Sequence, residues 1–147
     1  MSIVDTLEIG FEVSFSKIIS EQNIFGFCEA SGDNNALHLD SSCARQTVFG
    51  ERIAPGILIL GLVSAALASL PGIVVYVSQS AKFIQPVAVG DSICATAKIL
   101  SKNAEKSRLV LETWCMNQHG EIVLSGTAEI KILEPKGDSS SKMRHET

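Results

Sequence analysis

The sequence predicts an α+β domain in which one antiparallel sheet of about five strands wraps around a single buried central helix. Three observations lead there. Residues 53–81 form a 29-residue stretch without one charged side chain. Three later runs alternate with period two: Ile93, Ala95, Ala97 and Ile99; Leu109, Leu111 and Thr113; and Ile122, Leu124, Gly126, Ala128 and Ile130. Turns near Asn103 and at His119-Gly120 join these runs as an antiparallel meander would be joined.

Leu7 to Phe15 reads as a first strand, because Ile9, Phe11, Val13 and Phe15 alternate with polar or small residues. Ser20 is placed to N-cap a short amphipathic helix, with Glu21 favourable to its dipole. Ile24, Phe27, Cys28 and Ser31 fall on one face of that helix, and Gly32 stops it. Asp33 to His38 is dense in turn formers and reads as a loop. Leu39 to Phe49 holds a short helix and a bend. Pro55 then takes the first position of a helix over residues 56–69 that is apolar on every side and so must be surrounded by protein. Pro71-Gly72 breaks this run short of the ~20 residues a membrane span needs. Ile73 to Gln79 follows as a buried strand, with a further extended piece from Lys82 to Val87 closed by Gly90-Asp91. A sheet that uses one such helix as its filling is the hotdog arrangement. Its edges need a cover, so at least a homodimer is expected. Residues 1–135 form one domain, and 136–147 are a polar tail expected to be disordered.

The 147-residue chain carries a net charge of −4, and its Lys and Arg residues form no cluster of the kind that grips phosphate backbones, so nucleic acid is not an expected partner. Met1 to Ile9 lacks the layout of a signal peptide, and the expected location is the cytoplasm. Cys28, Cys43, Cys94 and Cys115 form no CxxC pair and match no zinc spacing. They are expected as reduced, mostly buried thiols, and no metal is expected.

The segment Ser31-Gly32-Asp33-Asn34-Asn35-Ala36-Leu37-His38-Leu39-Asp40 carries the most chemical information. It sets a carboxylate and an imidazole five residues apart across a polar turn. Adding water to an activated double bond needs a base for the water and an acid for the carbon beside the carbonyl, and an Asp/His pair in one pocket supplies both. A purely structural reading stays open at this point, with Asp33 capping a turn and His38 a satisfied histidine.

This segment resembles the hydratase-type signature of the MaoC-like family, roughly Ser/Thr-Gly-Asp-x-Asn-Pro-Leu/Ile-His-x-Asp. Ser31, Gly32, Asp33, Asn35, Leu37, His38 and Asp40 fit it. Phe49-Gly50-Glu51-Arg52-Ile53-Ala54-Pro55-Gly56 is similar to the family's approach to its central helix. Lys82-Phe83, Pro86-Val87 and Gly90-Asp91 are similar to the strand and turn beyond it. The resemblance covers about residues 7–133, with the three motifs in the family's order.

The resemblance implies an (R)-specific enoyl-CoA hydratase, a hydro-lyase in which Asp33 and His38 hold the catalytic water. It further implies that Asn35 shapes the loop and that the Gly56 amide binds the thioester carbonyl oxygen, with Ser64 near the site in some members. No cofactor is implied, since coenzyme A or an acyl carrier protein arrives as part of the substrate. Two departures stand out: Pro55 where the family often has His, and Ala36 where Pro is common. A dehydratase acting on acyl carrier protein, a hotdog thioesterase and a non-catalytic acyl-CoA-binding subunit remain rival readings. His119 and His145 are expected to be exposed and uninvolved, and Trp114 to be a core or dimer contact. Asp40 is expected to start the next helix, and Lys82 to be a solvated strand-end lysine.

Overall fold

The computed structural model describes residues 1–136. The expected tail and His145 therefore lie outside the described residues, apart from Lys136. In chain order the elements are α1 (Ile3–Thr6), β1 (Glu12–Ile18), α2 (Glu21–Ser31), α3 (Ala36–Leu39), α4 (Ser41–Arg45), α5 (Gly56–Ala68), β2 (Ile73–Phe83), β3 (Ser92–Asn103), β4 (Arg108–Met116) and β5 (Ile122–Leu133). The five strands form one antiparallel sheet in the order β1-β3-β4-β5-β2. The alternation read in the sequence is the alternation of burial. Ile93, Ala95, Ala97 and Ile99 of β3 are buried, as are Leu109, Leu111, Thr113 and Cys115 of β4. These side chains face α5, whose Ile59, Leu62, Val63, Ala66 and Leu67 complete the core. This is a hotdog fold. Among the described residues no helix is long and apolar enough to cross a membrane.

Several elements differ from the sequence reading. The first strand is Glu12–Ile18, not residues 7–15, and Ile9 is exposed. Ser2 and Asp5 form a capping box that starts α1, and Lys102 donates from Nζ to the carbonyls of Val4, Asp5 and Leu7. The chain then turns at Gly10, whose φ of 94° favours glycine, and only afterwards pairs with β3. A four-residue helix pinned by a lysine about a hundred positions away leaves no periodic trace. The two extended pieces expected at 73–79 and 82–87 are one strand as far as Phe83, with a register shift between Tyr76 and Ser78. Trp114 pairs with Thr96 and Ser125 on the outer face of the sheet and is half-buried there rather than in the core. His119 is exposed.

The central helix also departs from expectation. It is not surrounded by its own chain, because Ile57, Gly61, Ser64 and Ala68 are all exposed and form one stripe along it. The helix packs mainly over β1 and β3. The inner face of the edge strand β2 is therefore only partly covered.

One glycine allows the sheet to close. A Cβ on Gly126 would lie 1.9 Å from the carbonyl oxygen of Ser80 on the neighbouring strand. Backbone cannot yield there as a side chain would. Gly126→Ala is expected to lower the unfolding free energy by about 3 kcal/mol. A urea melt with unchanged m-value and a lowered midpoint is the readout.

Candidate active site

The site begins where α2 ends. Ser20 caps that helix through a reciprocal pair of hydrogen bonds with Asn23, and Gly32 closes it in the left-handed conformation at φ 80°. A ladder of short side-chain turns follows. The Asp33 amide donates to Ser31 Oγ, the Asn35 amide to Asp33 Oδ1 and the Leu37 amide to Asn35 Oδ1, at 3.0–3.1 Å. Asn35 is thereby the N-cap of α3, the four-residue helix that carries His38. The expected loop is thus a true loop only to Asn35. Asp40 caps α4 by accepting from the Ser42 and Cys43 amides, so it starts the next helix.

These turns commit Asp33 Oδ1 to the backbone and leave Oδ2 directed at the imidazole. Asp33 Oδ2 and His38 Nε2 are 4.0 Å apart. That is too long for a direct hydrogen bond. A water about 2.8 Å from each atom would see them at roughly 90°. On the other side of the ring, His38 Nδ1 lies 2.8 Å from the Ile53 carbonyl oxygen. A carbonyl only accepts, so Nδ1 carries the hydrogen and Nε2 of the neutral ring is a bare lone pair facing Asp33. His38 is 8% exposed, whereas the Asp33 side chain is more open.

Ile53 is itself held in place. It bridges to Ala88, and the preceding Arg52 forms an ion pair with Glu21 at the start of α2, with its guanidinium 6.0 Å from the centre of the Phe25 ring. Both ends of the His38 hydrogen-bonding axis are therefore tied to the same helix. The carbonyl of Ile53 escaped the sequence reading because backbone acceptors carry no residue signature.

His38 and Gly56 line one cavity of about 460 Å³, together with Ile53, Phe83, Gln85 and Leu124 among others. Gly56 is the first residue of α5, and Pro55 is its N-cap rather than its first helical residue, a shift of one position. Pro55 makes no side-chain cap. The first-turn amides, with the positive end of a thirteen-residue helix behind them, therefore meet no capping side chain. Gly56 is also closely approached: a Cβ there would lie 2.5 Å from the Phe83 ring, which would have to move aside. In the sequence Phe83 is legible only as part of a strand motif.

Ser64 is not brought to this cluster. It lies in a separate groove with Gly61, Tyr76 and Gln79. Cys115 is a core thiol pushed up to about 12 by burial and, secondarily, by Cys94, so it remains neutral and inert as a nucleophile. Cys28 is buried like Cys115, while Cys43 and Cys94 are half-exposed.

Known proteins share this fold and much of this sequence. Residues 6–114 match the MaoC like domain. The chain is 36% identical over 141 residues to a 3-hydroxybutyryl-CoA dehydratase of Methylorubrum extorquens, covering 95% of this chain and 88% of that protein. It is 37% identical over 130 residues to an (R)-specific enoyl-CoA hydratase of Rhodospirillum rubrum, covering 87% and 90%. The solved structure of the R-hydratase PhaJ1 from Pseudomonas aeruginosa superposes with a TM-score of 0.82 at 37% identity, covering 90% of this chain and 86% of that one. With its sheet, its central helix and this match over most of its length, the chain belongs to the MaoC-like dehydratase family.

Proposed function

We propose that this protein is an (R)-specific enoyl-CoA hydratase, which reversibly adds water in syn fashion to a trans-2-enoyl thioester to give the (R)-3-hydroxyacyl thioester. The observation that carries the reading is the 4.0 Å gap between Asp33 Oδ2 and His38 Nε2, beside a cavity that also contains the start of α5. Both atoms are acceptors, so a water between them directs its two hydrogens at them and a lone pair outward. That lone pair attacks the β-carbon. One of the two groups takes a proton from the water and returns it to the α-carbon. If His38 takes it, the Asp33 carboxylate stabilises the imidazolium and the Ile53 carbonyl holds its ring in place. The negative charge that grows on the thioester oxygen is met by the Gly56 amide and the helix dipole. Asn35 acts as a positioning residue through its cap on the His38 helix.

The test is loss of crotonyl-CoA absorbance with purified protein and identification of (R)-3-hydroxybutyryl-CoA as product. Release of free thiol in its place would make the protein a thioesterase. Binding of acyl-CoA without turnover would leave it a non-catalytic subunit. Parallel assays with coenzyme A and acyl-carrier-protein thioesters decide the carrier, and faster turnover of the coenzyme A substrate is expected. We place the activity in the cytoplasm, where four free cysteines stay reduced.

We further propose that the working form is a homodimer joined along β2. This eleven-residue strand ends the sheet, and Val75, Tyr76 and Val77 on it are exposed apolar residues. A long apolar edge invites pairing with a second copy. That pairing would also bring cover to the exposed stripe of α5. Sedimentation at twice the monomer mass is expected, and Val77→Glu is expected to shift the protein to monomer. A wild-type monomer at working concentration would refute the proposal.

A further inference from the structure

Arg52 precedes the residue whose carbonyl holds His38, yet its side chain reaches α2. The guanidinium donates to the Glu21 carboxylate and lies 6.0 Å from the centre of the Phe25 ring. Glu21 and Phe25 are one helical turn apart, so a single face of α2 supplies both partners. This gives a role to Phe25, which is 46% exposed while its neighbour Ile24 is fully buried. The Arg52 side chain is only 16% exposed. It is held more firmly than the freely solvated ion pairs that contribute little.

Other partners anchor the rest of the segment. The Ala54 amide donates to the Val87 carbonyl at 2.7 Å, and Ile53 bridges to Ala88. Ile53 is thus clamped between residues 87–88 and α2, and Arg52 is the α2 side of the clamp. The helix itself runs about 16 Å from Glu21 to Ser31, with Gly32 and Asp33 following at its far end. A tilt of about 4° over that length shifts Asp33 by about 1 Å. The one ion pair therefore bears on His38 through the Ile53 carbonyl and on Asp33 through the helix.

We infer that Arg52 is a positioning residue, which through its grip on Glu21 and Phe25 keeps the Ile53 carbonyl against His38 Nδ1 and so keeps Nε2 free to accept from the proposed water. The inference rests on the hydratase reading and adds to it a residue outside the catalytic cavity. An imidazole with its hydrogen on Nε2 would aim that hydrogen at Asp33 and offer the water no lone pair. Loss of the clamp acts on turnover rather than on binding, because Arg52 does not line the cavity that holds His38 and Gly56.

The experiment uses the full-length protein as wild type, Arg52→Met, Glu21→Ala and the double variant. Arg52→Met removes the guanidinium and keeps an apolar stem. The Glu21 side chain is 54% exposed, so Glu21→Ala leaves the packing intact and carries the test should Arg52→Met prove unstable. Arg52→Met is expected to lower kcat on crotonyl-CoA by about 30-fold with KM changed less than about twofold, since a displacement near 1 Å reduces rates by up to about 10²-fold. Glu21→Ala is expected to lower kcat by about tenfold. The double variant should be about as slow as Arg52→Met alone, because the two side chains act as one unit. Nitrogen-15 NMR of the His38 ring without substrate, assigned against His38→Ala, is expected to show the hydrogen on Nδ1 in the wild type and shared between both nitrogens in each single variant. Wild-type kcat in folded Glu21→Ala, losses that multiply in the double variant, or an unchanged ring tautomer in both single variants overturns this inference alone. Wild-type protein that does not hydrate crotonyl-CoA overturns the hydratase reading. The ring spectra need no substrate and then decide the positioning of His38 on their own.

Discussion

Asp33→Asn and His38→Ala are each expected to lower kcat on crotonyl-CoA by about 10²–10⁴-fold, the range that a positioned acid or base supplies. Their effects should not multiply. The two groups lie 4.0 Å apart and are proposed to hold one water between them, so once one is gone the other has no correctly held water to act upon, and the double variant should be about as slow as the slower single one. Stability separates the two cases. Asp33→Asn keeps an oxygen able to accept from the Asn35 amide and should unfold close to wild type. His38→Ala removes the donor to the Ile53 carbonyl in a buried setting, which costs about 1–2 kcal/mol. Steady-state kinetics beside a denaturant melt read both. Activity within a few-fold of wild type in either folded variant would remove the pair from the mechanism.

The second large effect concerns the amide at the start of α5. A proline at position 56 would delete that N–H while keeping a residue that helices accept at their first position. The preceding Pro55 already has an extended conformation, φ −56° and ψ 131°, compatible with a following proline. The obstacle is Phe83, whose ring lies 2.5 Å from where a Cβ would stand. The informative comparison is therefore Phe83→Ala against Phe83→Ala combined with Gly56→Pro. The first should retain most of the activity. The second should lose a further 10²–10³-fold or so in kcat, the usual effect of removing one oxyanion donor. Equal rates would mean that the thioester carbonyl is held elsewhere.

The parts of the molecule legible in the sequence are those with a strong local cause. Ser20 and Gly32 mark the ends of α2 because capping is chemistry between near neighbours. The period-two burial of β3 and β4 follows from one face of the sheet being covered. Asp33, Asn35 and His38 lie within six residues, so the turn that gathers them is written in the segment itself. What the linear pattern hid depends on distant partners. The α1 helix is held by Lys102 from the far end of β3. The tautomer of His38 is set by a backbone carbonyl fifteen residues on. Phe83 closes over Gly56 only because β2 runs unbroken past the bulge to the start of the helix. Ser64 shows the limit of reading position alone: it is on the right helix but points into the neighbouring groove, two turns from the amide at Gly56.

Hydration of crotonyl-CoA in D2O tests the central claim most directly. If Asp33 and His38 hold one water between them, as proposed, the hydroxyl and the α-deuteron arrive on the same face of the double bond, and the (R)-specific reading adds that this face gives the (R)-3-hydroxy product; syn addition is readable from proton NMR couplings and the configuration from a stereospecific dehydrogenase. Anti addition would contradict delivery of both groups by a single carboxylate–imidazole pair, and a product of the S configuration would contradict the (R)-specific reading.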